Sequence, residues 1–109
     1  MRGMTRIRIR MPDLVQAGQT FTIRALITHP METGLRVDRT GMTVPRRIIH
    51  RFVCTLDDIP VIDIAFEPAI SADPFVEFDA VAERSGVLQF HWHDESGEVH
   101  SASRDLKVI

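Results

Sequence analysis

The sequence predicts an all-β protein, folded as one antiparallel sandwich of about seven strands. Apolar and polar residues alternate along most of the chain, which is the pattern of strands with one buried face. Turn-forming residues recur at intervals of about 8 to 12 residues, and no stretch has the period of an amphipathic helix. These features favour an immunoglobulin-like β-sandwich that occupies the whole chain, residues 1–109, as a single domain.

The first predicted strand, TRIRIRM, shows the alternation most clearly. Its arginines Arg6, Arg8 and Arg10 share one face, while isoleucines and a methionine share the other. Further alternating runs are TFTIRALI, RRIIHRFVCTL, VIDIAF, FVEFDAVAE, GVLQFHWH and the final RDLKVI. The inward positions of these runs predict a core that includes Ile23, Ile27, Phe52, Phe90, Trp92 and Leu106.

Two connections interrupt the alternation. Residues 28–44, which contain THPMETG, hold Pro30, Gly34 and Gly41 with little periodicity, and EPAISADP carries two further prolines. A structureless connection as long as the first is uncommon in a compact domain, so we expect a function or a missed strand there, in a segment that could form a hairpin of irregular arms. Residues 1–4 are expected to be disordered or derived from expression.

Charge is distributed unevenly along a chain whose net charge is only −2. Through residue 51 there are ten arginines and three acidic residues, whereas the remainder holds twelve acidic and three basic residues. Strands from the two halves interleave in a small domain, so we expect much of this asymmetry to cancel in space. Nucleic-acid binding is not expected without a basic cluster interleaved with aromatic residues. Membrane insertion and a signal peptide are not expected without a long apolar run.

Histidine and cysteine are the residues that could carry chemistry. His91 and His93 lie two positions apart on one predicted strand and share a face, and His100 on the next strand could approach them to hold a metal. This spacing is a weak signal, and a solvated strand face is the favoured explanation of the pair. Cys54 alternates with apolar residues, which favours a buried thiol over a thiol at a subunit interface and, last, over a nucleophile.

Four motifs point to a known family: HPMETG, VPRRIIHRFVC, PAISADPFVEF and GVLQFHWHDESGEV, in this order. Through them the chain, from about Arg6 to Val108, resembles SoxZ, the small subunit of the SoxYZ sulfur-carrier complex of bacterial thiosulfate oxidation. The resemblance implies an immunoglobulin-like β-sandwich, in agreement with the alternation. His93 stands where this family usually has tyrosine, which weakens the case for a metal site at His91 and His93.

The resemblance implies a non-catalytic subunit without a cofactor or metal. In this family, sulfur intermediates are carried on the cysteine of a Gly-Gly-Cys-Gly-Gly C-terminal arm of the Y subunit, with which Z forms a tight heterodimer. This chain ends in RDLKVI, without that arm. We therefore expect it to bind such a partner and to meet other sulfur-oxidation enzymes transiently. The resemblance also implies periplasmic residence, after export with a partner that carries the signal peptide.

The alternative interpretation is a small metal-binding or redox β-sandwich domain that uses His91, His93, His100 or Cys54. Under the preferred interpretation, the isolated chain could form a homodimer, because its apolar interface would be uncovered.

A partner-binding surface is predicted on the long connection and its flank, with a second patch after the second loop. Methionine packs adaptably and arginine makes forked hydrogen bonds, so both suit interface centres. The predicted partner-binding residues are Met31, Glu32, Arg46, Arg47, Ile48, Ser71, Pro74 and Phe75. Ile48 and Phe75 could equally belong to the core, and Cys54 is a possible intersubunit thiol.

Overall fold

The fold is a sandwich of two β-sheets. The computed structural model describes residues 5–28, 35–43, 48–66 and 75–109. Within them the strands are β1 (Arg6–Arg10), β2 (Leu14–Val15), β3 (Thr20–Thr28), β4 (Ile49–Leu56), β5 (Ile59–Ala65), β6 (Phe75–Val81), β7 (Gly86–Asp94) and β8 (Val99–Val108). One sheet has the order β1-β3-β6 and the other the order β2-β8-β7-β4-β5. The predicted all-β sandwich is confirmed. The described residues include no helix that could cross a membrane.

The core lies where the alternation predicts it. In β3 every second residue from Phe21 to Ile27 is buried, and in β7 the same holds for Leu88, Phe90 and Trp92. The aromatic side chains meet around Phe52 of β4, whose ring centroid lies 4.9 Å from that of Trp92. Phe52 thereby becomes the centre of the apolar layer between the two sheets.

Strand β2 is absent from the prediction, which placed a turn over this segment. It pairs parallel with β8, with Val15 opposite Val108. The backbone N–H of Ile109 donates to the Val15 carbonyl at 3.0 Å, which fixes this pairing. Two residues are too few to show an alternation, so only the distant end of the chain determines that this segment is a strand.

Arg104 of β8 ties the two sheets together at the edge formed by β1. Its Nη1 donates to the Ile9 carbonyl oxygen at 3.1 Å, and its Nη2 lies 3.3 Å from Asp13 Oδ1. These bonds occupy part of the free edge of β1, which an unpaired strand would otherwise offer to another chain.

The expected cancellation of charge is only partial. β1 and β3 are neighbours in the smaller sheet, so Arg6, Arg8, Arg10 and Arg24 lie side by side on its outer face. The acidic strand β6 lies on the other side of β3 and brings only Glu77 and Asp79 to this face. The strands do interleave in sequence order, but pairing of β1 with β3 keeps the arginines together.

Candidate functional site

The long connection contains a small hairpin closed by Asp38. Val37 and Thr43 form a β-bridge across it, and the Asp38 N–H donates to the Met42 carbonyl at 2.9 Å. Oδ1 of Asp38 accepts from the Thr40 hydroxyl at 2.7 Å and from the Thr40 and Met42 N–H groups at 2.9 and 3.1 Å. Hydrogen bonds from Thr40 and Met42 lower the pKa of Asp38, so the carboxylate that holds the turn is ionised. The irregular hairpin expected in this connection is present.

This hairpin exposes large apolar side chains. Leu35 is 85% exposed, Met42 66% and Val37 57%. Isolated apolar residues on a surface are ordinary, but three within the nine described residues of this connection make it a candidate binding surface. These three residues are not among the predicted partner-binding residues. The signal was present as large apolar residues in a segment without strand periodicity. We call residues 35–43 the exposed hairpin.

The predicted partner-binding residues are only partly described. Phe75 is 56% exposed, on the outer face of the smaller sheet beside Leu26. Ile48 is only 4% exposed, so its side chain belongs to the interior, and its burial does not support a direct partner contact. The pairing of β4 with β7 is irregular between Ile49 and Arg51, which places Ile49 on the same buried face as Phe52 although the two residues are three positions apart. The remaining predicted residues, Met31, Glu32, Arg46, Arg47, Ser71 and Pro74, lie outside the described residues.

The turn between β7 and β8 anchors the chain where the long connection ends. The Glu95 N–H donates to the Ile48 carbonyl at 3.0 Å, and the Ile48 N–H donates to Glu95 Oε1 at 3.3 Å. Ile48 directly precedes β4, so this pair of bonds fixes the point at which the connection rejoins the sheet.

Asp94 builds the turn from a buried position. Its Oδ1 accepts from the Ser96 N–H at 2.8 Å, from the Ser96 hydroxyl and from the Glu98 N–H at 3.2 Å, and its Oδ2 lies 3.1 Å from His100 Nε2. Burial alone would raise the pKa of Asp94, but these hydrogen bonds outweigh it and lower the pKa to about 2. Asp94 is therefore an ionised, buried carboxylate that organises the turn.

The histidines do not form the predicted cluster. His91 lies opposite Ser101 and His93 opposite Val99, whereas His100 lies opposite Trp92. Directly paired residues share a face, so His100 is on the face of the buried Trp92, and His91 and His93 are on the other face. The expectation that His100 could join them at one metal is wrong, because the register of the β7–β8 hairpin separates them.

His91 and His93 face the outside of the larger sheet among polar groups. His91 Nδ1 lies 2.8 Å from the Ser101 hydroxyl. Burial lowers the pKa of His93, and so does the positive charge of the neighbouring Arg51, which itself pairs with Asp63. These contacts are typical of a partly solvated sheet face.

Among the described residues, one other group of side chains brings possible metal ligands together. Donor atoms of Asp94, Glu98 and His100 all lie within 4.8 Å of one another. Asp94 already uses both oxygens, for the turn and for His100. The arrangement is explained by its role in closing the turn.

Cys54 is fully buried between the two sheets, as its alternation predicts. Burial raises the pKa of its thiol to about 12, so the nucleophilic thiolate does not form near neutral pH. This environment argues against Cys54 as a redox centre, and a disulfide to a partner would require the sandwich to open.

We expect Cys54 in the folded chain to resist alkylation by iodoacetamide for hours at neutral pH. After unfolding in guanidinium chloride it should react within minutes, because the thiol is then solvated and its pKa returns to about 8.5. Mass spectrometry of the intact chain measures the reaction. Rapid labelling of the folded chain would contradict the buried position.

The comparisons place the chain beside sulfur-oxidation proteins. Residues 8–105 match a family model described as sulphur oxidation protein SoxZ. No match was found among curated protein sequences.

Solved structures share the sandwich at low sequence identity. Superoxide reductase (neelaredoxin) from Ignicoccus hospitalis superposes with a TM-score of 0.65 at 21% identity, covering 94% of this chain and 80% of that chain. The sulfur carrier protein SoxY from Chlorobium limicola f thiosulfatophilum gives 0.64 at 14% identity, covering 94% and 78%. The CARDB domain of PF1109 from Pyrococcus furiosus, in complex with di-metal ions, gives 0.61 at 12% identity, covering 99% and 90%. At these identities the structures establish the fold alone.

Proposed function

The chain belongs to the SoxZ family of sulphur oxidation proteins, and on this basis we propose that it is the non-catalytic subunit of a heterodimeric sulfur-carrier complex. Its partner would be a SoxY-like subunit that holds sulfur intermediates on the cysteine of a Gly-Gly-Cys-Gly-Gly C-terminal arm. The chain would hold this partner without bearing the sulfur itself, and separate enzymes would load and process the carried group.

The exposed hairpin is the observation that carries the proposal. Leu35, Val37 and Met42 place apolar surface in water on a hairpin that is closed by hydrogen bonds to Asp38. A preformed apolar surface lowers the ordering cost of association, which supports a stable complex. A specific interface buries about 800 Å² on each partner. The hairpin alone is too small for that area, so the predicted flanking residues, among them Met31 and Arg46, would complete the interface.

The burial of Cys54 supports the non-catalytic part of the proposal. A sulfur carrier needs a thiol that meets several enzymes in turn, and the lone cysteine of this chain is enclosed between two sheets. The reactive thiol therefore has to come from the partner.

We further propose that the complex resides in the periplasm and is exported in folded form through a signal peptide on the partner. Support for this comes only from the family resemblance. Expression with a signal-bearing partner, followed by cell fractionation, tests it: the chain should be periplasmic with the partner and cytoplasmic when the partner lacks its signal peptide.

Co-expression with a tagged partner that ends in Gly-Gly-Cys-Gly-Gly tests the main proposal. Size-exclusion chromatography with light scattering should show a one-to-one complex. A chain that stays monomeric beside this partner at micromolar concentration would contradict the proposal.

Two matched variants locate the interface. Met42→Asp should weaken the complex at least about tenfold, because it places a charge in an apolar contact. Ile59→Asp is the control, since Ile59 is also apolar and 69% exposed but follows the opposite end of β4. Equal effects of the two substitutions, measured by isothermal titration calorimetry, would exclude the exposed hairpin as the interface.

A further inference from the structure

The outer face of the smaller sheet carries an ordered array of arginines around an apolar centre. Cross-strand pairing sets Arg8 beside Leu26 and Leu26 beside Phe75, and in the next row it sets Arg10 beside Arg24 and Arg24 beside Glu77. We call this surface, completed by Arg6, the arginine face. It shares no residue with the exposed hairpin.

Most of the positive charge on this face has no ion-pair partner among the described residues. Arg24 pairs with Glu77, with Nε 3.0 Å from Oε2. Within the part of the chain that the structure describes, Arg6, Arg8 and Arg10 form no ion pair and no side-chain hydrogen bond. Asp79 accepts from the Thr22 hydroxyl at 2.7 Å rather than from any of these arginines.

One arginine is placed where it opposes the stability of the sheet. Arg10 lies directly opposite Arg24, and like charges at directly paired positions are destabilising. A sheet selected for stability alone would carry an opposite charge or a neutral residue at position 10. The like-charged pair therefore suggests that Arg10 serves an interaction with another molecule.

The shape of the face fits an extended chain. A shallow groove of about 520 Å³ is lined by Arg8, Arg10, Arg24, Leu26, Phe75 and Glu77. Alternate residues of a strand are about 7 Å apart, so Arg6, Arg8 and Arg10 cover about 13 Å, more than one small oxyanion can bridge. Carboxylates at alternate positions of an extended segment have the same spacing.

We propose that the arginine face docks an extended acidic segment of a partner protein. Its carboxylates pair with Arg6, Arg8 and Arg10 through forked hydrogen bonds, and one of its apolar side chains packs on Leu26 and Phe75. Protein is favoured over nucleic acid because the face offers a single aromatic side chain and includes the carboxylates of Glu77 and Asp79, which repel a phosphate backbone.

A labelled peptide tests the proposal on the full chain. The probe is a fluorescein-labelled peptide of about twelve residues with glutamate at alternate positions and one central leucine. Fluorescence anisotropy should show binding that weakens several-fold as sodium chloride rises to about 0.15 M. The same peptide with glutamine in place of glutamate should not bind. An oligothymidylate that binds as tightly as the peptide, or inorganic sulfate that displaces it at micromolar concentration, would overturn the proposal.

Charge-matched variants test whether peptide binding depends on the arginine face or only on the net charge of the chain. Arg10→Glu should weaken peptide binding about tenfold, because it replaces one charge-assisted contact with a repulsive contact. It should also raise Tm, because a carboxylate at position 10 would face the guanidinium of Arg24. Arg84→Glu changes the net charge equally in an exposed turn and should leave binding within about twofold. Arg8→Gln should weaken binding with no change in Tm.

Two results are decisive. If Arg10→Glu and Arg8→Gln weaken peptide binding no more than Arg84→Glu does, the arginine face is not the docking surface. Loss of binding together with a raised Tm in Arg10→Glu supports a functional role for Arg10 and excludes misfolding as the cause. The one-to-one complex with the carrier partner is measured on the same variants, so loss of that complex and loss of peptide binding are distinguished.

Discussion

Replacing Asp94 with alanine is expected to lower the free energy of unfolding near pH 7 by about 3 kcal/mol. The carboxylate is buried and accepts hydrogen bonds from the backbone of Ser96 and Glu98, and alanine leaves these donors without a partner. His100 also loses the carboxylate that faces its Nε2. Urea unfolding followed by tryptophan fluorescence measures the change.

Asp57→Ala is the control for this substitution. Asp57 also holds a turn next to β7, where its Oδ1 accepts from the Val87 N–H at 2.8 Å, but its side chain is exposed. Water can replace it, so the loss should be about 1 kcal/mol. Equal losses for the two variants would contradict a special role for the buried carboxylate.

The contribution of Asp94 should depend on pH. Its pKa is about 2 in the folded chain, compared with 3.8 for an unperturbed aspartate carboxyl. A depressed pKa stabilises the folded chain above the unfolded value, and this stabilisation is lost as the pH falls from about 4 to about 2. The difference between the two pKa values corresponds to about 2 kcal/mol of folding stability. The stability gap between the native chain and Asp94→Asn should therefore narrow below about pH 4, and a gap that stays constant to pH 3 would contradict the assignment.

Phe52→Ala is expected to be the most destabilising single substitution in the core, with a loss of about 4 kcal/mol. The Phe52 ring lies 4.9 Å from that of Trp92, 6.3 Å from Phe90 and 6.1 Å from Phe78, by centroids. Phe78 belongs to the smaller sheet, so the cavity would open between the two sheets.

The matched control is Phe75→Ala, which removes an aromatic ring that is more than half exposed. It should change the free energy of unfolding by no more than about 0.5 kcal/mol. Guanidinium unfolding of both variants gives the comparison. A loss below about 1 kcal/mol for Phe52→Ala would show that the interior collapses around the cavity or that the sheets pack differently.

Alternation was sufficient to predict most strands and the core, because one face of each strand is buried. In β3 and β7 the predicted inward residues are the buried ones. It failed at β2, whose two residues pair with a strand that lies more than ninety positions away in sequence. It also gave no warning that the irregular pairing at the start of β4 places Ile49 on the buried face of Phe52.

The sequence alone could not show which residues of different strands lie on the same face of a sheet. The register of the β7–β8 hairpin determines whether His100 shares a face with His91 or with Trp92. A shift of one residue would move His100 to the face of His91. Likewise, the arginines of β1 and β3 accumulate on one surface only because these two strands are neighbours. Such neighbour relations are set by packing of the whole chain rather than by local pattern.

The β-sandwich fold that this chain shares with the solved structures does not by itself establish a function. The matched structures include a superoxide reductase, a sulfur carrier protein and a domain crystallised with metal ions. One fold can thus support different activities, and function has to be argued from particular side chains. In this chain His91 and His93 lie on one face of the larger sheet, His100 lies on the other, and the cysteine is enclosed.

Intact mass spectrometry of the complex is the most direct test of the central claim that this chain binds the sulfur-bearing subunit without bearing sulfur. The complex would be purified with its partner from cells that oxidise thiosulfate, then denatured and measured before and after reduction. We expect sulfur adducts that are removed by reduction on the partner alone, with this chain at the mass given by its sequence. A reducible sulfur adduct on Cys54 would contradict the account.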